Sequence, residues 1–242
     1  MLICCATMRP LEVAIDLPTV RSWLGMSAER PRIHFIDNSK ANLGLVRSYQ
    51  KGYEETTEPI IAYFHDDVEI REPDWDRRVM REFEDSTVGI VGFGGAVRLG
   101  SYDLYKRPYD FKQLARFGYR SNAVDAEIHG ARFEGECDVA VLDGYAIIVR
   151  RELLAKAGGW PVSGLQYHMY DAWLACAAAR LGYRTRLVGV KCQHYGGGTS
   201  VQGVYEKWLR ETQSKTDSDV HREAHEWLYD HGRDVLPLEV RE

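Results

Sequence analysis

Three observations predict an α/β protein built on a doubly wound, mostly parallel sheet. Short apolar runs alternate with amphipathic stretches through the first two thirds of the chain. The runs are continuously apolar rather than alternating in polarity, which is typical of strands covered on both faces. Polar residues, several of them carboxylates, directly follow these runs. Sheets of this kind bind ligands beyond the carboxyl ends of their strands, so a site is expected at that edge.

The strands and helices follow in chain order. The first predicted strands are the runs MLICCA, RIHFID, PIIAYF and VGIVGF. Helices are predicted between them over residues 11–24, 44–55 and 74–85. The segment CDVAVLDGYAIIVRR is expected to form one further strand, with Asp143 and Gly144 in its middle. A short helix in RELLAKAGG, an Ala-rich helix over residues 171–180 and a strand in TRLVGVKCQHYGGG follow it.

One domain is expected over residues 1–200, followed by a C-terminal helical extension over residues 201–242. The extension itself contains no glycine-rich linker that would mark an independent second domain. Residues 94–135 are rich in Tyr, Arg and Gly and show no clean periodicity. Long irregular insertions are usually binding loops or mobile segments, and both interpretations apply to this one.

The composition is that of a globular protein with a negative net charge. Lys and Arg total 31 against 36 Asp and Glu, a formal net charge of −5, so stable nucleic-acid binding is not expected. The 5 cysteines are odd in number and include no C-x-x-C pair, which favours reduced thiols in a cytoplasmic protein. No apolar stretch approaches ~18 residues, so no transmembrane segment is expected.

Polar clusters follow the first three predicted strands. They are Thr7, then Asp37 with Asn38, then His65 with Asp66 and Asp67. Because parallel strands end at one edge of the sheet, these side chains are expected along one rim. Mg²⁺ and Mn²⁺ take oxygen ligands, and Mn²⁺ tolerates an added imidazole, so Asp67 with a distant histidine is a plausible partial ligand set. A solvated, charged strand end is the alternative interpretation.

The ordered set of segments resembles glycosyltransferase family 2 and its relatives of the GT-A fold, which move a sugar from a nucleotide diphosphate sugar. The matching segments are IHFIDNS, ANLGLVRSYQKG, IIAYFHDDVEI, VAVLDGYAIIVRRELLAKAGGW and YDAWLACAAARLGYRTRLVGVKCQHYGG. They span most of residues 1–198 in the family's order. The resemblance implies a GT-A domain whose residues 1–95 bind the nucleotide sugar and whose residues 96–200 form the acceptor and catalytic half.

The resemblance also implies how the donor is held. It places the contact to the nucleotide base on Asp37, and it places Asn42 and Arg47 near the nucleotide and its phosphates. Ala6 and Thr7, at the end of the first strand, are expected to bind the nucleotide sugar as well. A UDP-sugar is the favoured donor and a GDP-sugar the alternative, while the acceptor is not identified by the sequence.

The metal site implied by the resemblance, for Mn²⁺ or Mg²⁺, involves the family's D-x-D element. That element falls on His65, Asp66 and Asp67, with His65 at a position where aspartate is commoner. Asp67 is expected to bind the metal, and Asp66 and His65 to contact the donor. His194 falls where several GT-A enzymes place a histidine ligand, although a lone histidine near a strand end is more often structural. The glycines at 196–198 that follow it suit a loop that moves to admit a bulky donor.

The catalytic base implied by the resemblance is Asp171, which opens a helix in HMYDAWL. Tyr170 stands where glutamate is more usual. Unpaired N–H groups and the macrodipole at a helix N-terminus favour the carboxylate that a base must be, although an N-cap role would explain the same aspartate. Asp143, followed by Gly144, is a mid-strand carboxylate that needs a partner: a sugar hydroxyl or an arginine would serve.

The expected activity is therefore a metal-dependent, inverting glycosyl transfer, with the insertion at 94–135 shaping the acceptor side. A retaining transferase and a nucleotidyltransferase are the alternatives among enzymes. The latter would carry a glycine-rich, basic signature near the first strand, where CCATMRP offers only Arg9. A non-catalytic binding protein that kept the fold is the alternative outside them.

The C-terminal extension contains one pair of histidines at helical spacing. His221 and His225, in HREAH, lie at i and i+4 on one face of a predicted helix. Their order does not match the H-E-x-x-H metalloprotease motif. A solvated amphipathic face is the expected interpretation.

Overall fold

The computed structural model describes residues 1–40, 42–106, 111–196 and 204–240. Its strands are β1 (Leu2–Thr7), β2 (Arg32–Asp37), β3 (Ile60–Phe64), β4 (Val68–Ile70), β5 (Val88–Gly92), β6 (Gly94–Leu99), β7 (Arg116–Ser121), β8 (Ala131–Arg132), β9 (Glu136–Asp138), β10 (Val141–Leu142), β11 (Ala146–Arg150), β12 (Arg184–Val188), β13 (Cys192–His194) and β14 (Leu238–Glu239). Its helices are α1 (Leu11–Ala14), α2 (Pro18–Gly25), α3 (Leu45–Glu54), α4 (Trp75–Glu82), α5 (Ala126–His129), α6 (Arg151–Ala157), α7 (Tyr170–Arg180), α8 (Val204–Gln213) and α9 (Asp217–His231), with a 3₁₀ helix at Phe111–Leu114.

The main sheet has 7 strands in the order β2-β1-β3-β11-β5-β12-β9. The pairs β1–β2, β1–β3 and β5–β12 are parallel, whereas β11 and β9 are antiparallel to their neighbours, so most strands share one direction. The predicted α/β class is confirmed. Because β1, β2 and β3 run in parallel, their carboxyl ends lie at one edge, as the polar clusters after them required.

The main sheet is buried on both faces, which is why its strands read as continuous apolar runs. Along β3, Ile61 and Tyr63 belong to one core cluster, and Ile60, Ala62 and Phe64 belong to the other. This alternation follows the two-residue repeat of a strand. Each face is covered by helices, with α3 packing on β1 and α4 on β5.

The predicted helix over 11–24 is wrong in one respect, because the structure divides it into α1 and α2. Pro18 opens α2, where its missing N–H has no helical partner to lose and its fixed φ suits the first turn. The other predicted helices of the main domain are present with bounds shifted by a few residues.

The predicted single strand over 137–151 is also wrong, since the chain forms β9, β10 and β11 there. β10 pairs with β6 in a second sheet, and β11 returns to the main sheet. Asp143 and Gly144 form the bend between them, and the Asp143 N–H donates to the Gly94 carbonyl at 2.8 Å. Asp143 therefore lies at a crossing between two sheets rather than within a strand.

The insertion at 94–135 is more regular than its sequence suggests in the part that the structure describes, which excludes residues 107–110. It contributes β6, β7 and β8 to a second sheet of 5 strands, ordered β10-β6-β7-β8, in which β14 also pairs with β6, on the same edge as β10. The middle residues of β6 and all but the last residue of β7 are partly exposed. Such strands carry no continuous apolar run, so the sequence pattern does not predict them.

The C-terminal extension is helical in α8 and α9, and its described residues, 204–240, pack onto the rest of the chain. Ala224, Leu228 and Leu236 belong to the same core cluster as the strands of the main sheet. Across the described ranges, no helix combines the length and apolarity that crossing a membrane requires.

Candidate active site

A cavity of about 420 Å³ lies at the carboxyl edge of the main sheet. From the first half of the chain it is lined by Ala6, Thr7, His65, Asp66 and Asp67. Asp143, Gly144, Asp171 and His194 line it from the second half. Nine of the site residues predicted from the sequence therefore line one cavity, although they come from segments far apart in the chain.

His194 reaches this cavity through the pairing of two short strands. β13 runs antiparallel to β4 with His194 opposite Val68, and Val68 directly follows Asp67 in the chain. The Tyr195 N–H donates to the Asp67 carbonyl at 3.1 Å, which holds this register beyond the strand. One ligand atom each from His65, Asp67 and His194 then lies within 4.8 Å of the other two.

The electrostatics of this cluster suit a divalent cation. Nε2 of His194 lies 3.4 Å from Oδ1 of Asp67, but this oxygen is buried and reaches hydrogen-bond geometry with no group in the described part of the chain. Burial alone would raise the pKa of Asp67, yet the neighbouring His194 outweighs that effect and lowers it, so the carboxylate is ionised at neutral pH. A charged carboxylate with an unpartnered oxygen beside two imidazoles fits Mn²⁺ in its donor set.

His65 and Tyr170, the two positions that depart from the usual family pattern, contact each other. Nε2 of His65 and the Tyr170 hydroxyl lie 2.9 Å apart and share a hydrogen bond. Gly144 makes room for this pair, because a Cβ there would overlap the Tyr170 hydroxyl. Burial lowers the pKa of His65, so its ring stays neutral at neutral pH and keeps a nitrogen free of a proton.

Asp66 is held at the end of β1. Its Oδ2 accepts a hydrogen bond from Oγ1 of Thr7 at 2.7 Å, and Nε of Arg9 lies 3.6 Å away. The Asp66 carbonyl accepts from Oγ1 of Thr19. Neighbouring carboxylates at 66 and 67 therefore have different partners, since Asp66 is engaged by the protein and Asp67 retains an open oxygen.

Asp171 lies in the first turn of α7, whose N-cap is Met169 in the left-handed region. The N-cap alternative for Asp171 is therefore excluded. Its side chain is only 8% exposed, and its two oxygens accept from the Ala172 N–H at 2.7 Å and from Nη2 of Arg116 at 2.6 Å.

Arg116, in β7, joins two carboxylates of the cavity. Its guanidinium also lies 3.8 Å from Asp143, which accepts from the Tyr119 hydroxyl at 2.9 Å. Burial would lower the pKa of Arg116, but the charges of Asp171 and Asp143 raise it, so the group is always a cation. The arginine partner that the sequence left open for Asp143 is Arg116.

A match to a protein-family model identifies the family of the chain. The model described as Glycosyl transferase family 2 matches residues 20–156, more than half of the chain. The chain belongs to glycosyltransferase family 2. The expected family and enzyme class are confirmed: the chain is a glycosyltransferase.

Solved structures similar to this glycosyltransferase share little sequence with it. A197 from STIV is 15% identical, with 80% of this chain and 84% of that one covered and a TM-score of 0.47. The mannosyltransferase PcManGT from Pyrobaculum calidifontis, solved with GDP-Man and Mn²⁺, is 14% identical over 94% and 69% of the two chains, with a TM-score of 0.46. GalNAc-T7, solved with UDP, GalNAc and Mn²⁺, is 11% identical over 95% and 53%, with a TM-score of 0.49. No curated protein matches the sequence.

Three residues nominated as donor contacts do not line the cavity of the glycosyltransferase. Asp37 is exposed, and its Oδ1 accepts from the N–H and the hydroxyl of Ser39. Asn42 is buried and accepts from the Tyr167 hydroxyl, and Arg47 is exposed. Their roles stay predictions, as do those of the other nominated residues.

Other residues of the glycosyltransferase line the cavity without having been nominated. They are Arg116, Tyr167, His168, Tyr205, Asp217 and His221, among others. The expected solvated face of HREAH is wrong, because His225 is only 6% exposed and His221 borders the cavity. The i, i+4 histidine pair was the one available signal. Of the glycines at 196–198, Gly197 and Gly198 lie outside the described residues.

Proposed function

We propose that the enzyme transfers a sugar from a nucleoside diphosphate sugar to an acceptor hydroxyl with inversion at the anomeric carbon, that it depends on a divalent metal, and that Asp171 is its general base. One observation carries the proposal: a cluster suited to a cation and a helix-opening carboxylate line the same cavity. The described residues near β1 lack the glycine-rich, basic signature expected of a nucleotidyltransferase. The one arginine there, Arg9, pairs with Asp66.

The donor half of the proposal uses the edge of the main sheet. Ala6, Thr7 and Asp66 would hold the nucleotide sugar, with UDP favoured and GDP as the alternative. His65, Asp67 and His194 would hold Mn²⁺ or Mg²⁺. When bound, the cation would neutralise charge on the diphosphate leaving group. Outside the cavity, Asp37 would contact the nucleotide base. Asn42 and Arg47 would lie near the nucleotide and its phosphates.

The acceptor half of the proposal uses Asp171. As the acceptor oxygen forms its bond to the anomeric carbon, its proton passes to the Asp171 carboxylate. The bond between the anomeric carbon and the phosphate oxygen breaks, and its electron pair leaves with the nucleoside diphosphate. The Arg116 and Ala172 hydrogen bonds fix the direction in which the carboxylate points, so the base is oriented before reaction.

Both halves of the proposed domain, 1–95 and 96–200, supply residues to the cavity.

The proposed reducing, cytoplasmic location is supported by the cysteines, because all of them are free and most are buried. The acceptor stays unspecified at this level.

The experiment incubates UDP- and GDP-sugars with the enzyme and Mn²⁺ or EDTA, and measures the nucleoside diphosphate that is released. We expect slow release without an acceptor, abolished by EDTA and by Asp67→Asn. Asp76→Asn is the matched control, because Asp76 is buried but lies outside the cavity. Release unaffected by EDTA and by Asp67→Asn would contradict the metal assignment, and no release from any donor would favour the non-catalytic alternative.

Product stereochemistry separates the inverting proposal from the retaining alternative. The anomeric signal of the first product formed from an α-linked donor is followed by proton NMR. We expect the β-configured sugar to appear first. Initial formation of the α-configured sugar would show retention and would remove the general-base role from Asp171.

A further inference from the structure

One wall of the cavity is built by the segment before α7 and by the C-terminal helices. Tyr167 and His168 come from the former, and Tyr205, Asp217 and His221 come from α8 and α9. We call these five residues the C-terminal wall. Asp171 follows His168 closely in the chain and lines the same cavity, so the wall adjoins the proposed base.

The C-terminal wall is held together by specific contacts. Nε2 of His168 and Oδ1 of Asp217 lie 2.8 Å apart, and the rings of His168 and His221 are 4.6 Å apart. The rings of Tyr167 and Tyr205 are 4.4 Å apart. The wall is thus cross-connected between its two segments rather than formed by side chains that extend freely into solvent.

The position of α9 is fixed independently of the cavity. Thr216 and Asp219 form a capping box, in which the Asp219 N–H donates to Oγ1 of Thr216 and the Thr216 N–H donates to Oδ2 of Asp219. Asp217 is the first residue of this capped helix. Ala224 and Leu228, further along α9, belong to the main core cluster. The helix therefore presents Asp217 and His221 from a rigid support.

Tyr205 leaves an unsatisfied donor at this wall. The residue is 5% exposed, and its hydroxyl makes no hydrogen bond with any group in the described ranges. Burial, and then the charge of nearby Asp217, raise the pKa of Tyr205, so the hydroxyl keeps its proton. The Tyr205 hydroxyl and the Asp217 carboxylate do not reach hydrogen-bond geometry. Buried polar groups are normally paired, so this hydroxyl calls for a ligand oxygen.

The charges around the wall select the kind of ligand. Among the described residues that line the cavity, Arg116 is the one lysine or arginine, and Asp171 and Asp143 already engage it. Burial, and then the charges of His168 and His225, lower the pKa of His221 to about 4, so it is neutral at neutral pH. Asp171 and Asp217 add negative charge, which would repel a phosphate or carboxylate group.

We propose that the C-terminal wall is the acceptor subsite and that it takes a neutral carbohydrate, with Tyr205 donating to one sugar hydroxyl and Asp217 accepting from another. The inference rests on the proposed function, because it names the acceptor class of the same cavity. One carboxylate, two imidazoles and two phenols in the wall supply the donors and acceptors that sugar hydroxyls require, and the wall contains no lysine or arginine that would favour an anionic sugar.

The test measures sugar binding by saturation-transfer NMR in the presence of Mn²⁺ and either UDP or GDP. The probes are methyl glycosides of glucose, galactose and mannose, compared with glucose 6-phosphate and glucuronate. Wild type is compared with Tyr205→Phe and with Tyr63→Phe. Tyr63 is the matched control, because its hydroxyl is also buried without a partner in the described chain, but it does not line the cavity.

We expect at least one neutral glycoside to bind wild type and Tyr63→Phe, and to bind Tyr205→Phe about two- to tenfold more weakly, the effect of one lost hydrogen bond. Asp217→Asn provides a second variant, with the same expectation, if Tyr205→Phe melts early. Anionic sugars that bind as tightly as neutral ones would overturn the inference, as would equal binding to wild type and both variants, or no binding by any neutral glycoside.

The outcome separates the inference from the proposed function. Glycoside binding that depends on Tyr205, without release of nucleoside diphosphate from any donor, would support the subsite and contradict the transferase mechanism. Release of nucleoside diphosphate by wild type, without any binding of neutral glycosides, would support the transferase mechanism and contradict the subsite.

Discussion

Replacing Asp171 with asparagine removes a carboxylate while keeping the shape of the side chain. Oδ1 can still accept from the Ala172 N–H, which lies 2.7 Å away. The Arg116 guanidinium loses its partner at 2.6 Å and keeps Asp143 at 3.8 Å. The substitution therefore removes the proposed base and one of the two ion pairs of Arg116, without opening a cavity.

Both effects can be given a size. A positioned general base contributes roughly 10²- to 10⁴-fold, which corresponds to about 3–5 kcal/mol of activation free energy. A hydrogen bond to a charged group contributes about 1.5–3 kcal/mol to stability. The stability lost here is expected at the lower end of that range, because Arg116 keeps its contact with Asp143 and its side chain is 28% exposed. For a chain of 242 residues, that lowers Tm by a few degrees, at about 2–4 °C per kcal/mol.

The assay compares nucleoside diphosphate release by wild type, Asp171→Asn and Asp76→Asn. Asp76 is 2% exposed and accepts from the Ser27 hydroxyl and from the Ala28 and Glu29 N–H groups, so its loss also destabilises the fold. We expect Asp76→Asn to retain the turnover of folded wild type, and Asp171→Asn to lose it while binding UDP and Mn²⁺ normally. If folded Asp171→Asn turned over within about threefold of wild type, against the expected loss of at least ~10²-fold, the base assignment would be wrong.

Three further predictions concern the surroundings of the site. Tyr170→Phe removes the hydroxyl that orients His65, so Mn²⁺ binding measured by calorimetry should weaken about 10- to 100-fold, and unchanged affinity would contradict a role for this pair at the cation. Gly144→Ala should have a similar or larger effect on Mn²⁺ affinity, because the added Cβ displaces the Tyr170 hydroxyl; a normal affinity would show that the pair is dispensable. Folding lowers the pKa of His221 from 6.5 to about 4. Between these two pH values the unfolded chain binds a proton at His221 and the folded chain does not, so the stability of the fold decreases as the pH falls from 6.5 to about 4. His221→Asn should reduce this fall in thermal melts, and an identical pH dependence would refute the assignment.

The core of the fold was predictable because its physical signal is local. The strands β1, β3 and β5 are covered on both faces, so they appear as continuous apolar runs. The polar residues after β1 and β3 could then be placed at one edge. The shared location of Thr7 and Asp67 in one cavity was therefore predictable from the sequence.

The rest of the site was less predictable because its contacts join distant segments. His65 and Tyr170 are 105 residues apart, and each looked like a separate departure from the usual pattern until the structure paired them. β7, which supplies Arg116, is mostly half-buried and has no apolar run. A helix carrying HREAH looks amphipathic whether its histidine face meets water or a cavity, and only the packing of α9 places His221 at the site.

The central claim is that His65, Asp67 and His194 bind a divalent cation next to the donor. The most direct measurement is a titration of free Mn²⁺ by electron paramagnetic resonance, with UDP present, for wild type, Asp67→Asn and Asp76→Asn. We predict one Mn²⁺ site in wild type and in Asp76→Asn, and its loss in Asp67→Asn. Equal Mn²⁺ binding by all three proteins, or none by wild type, would contradict it.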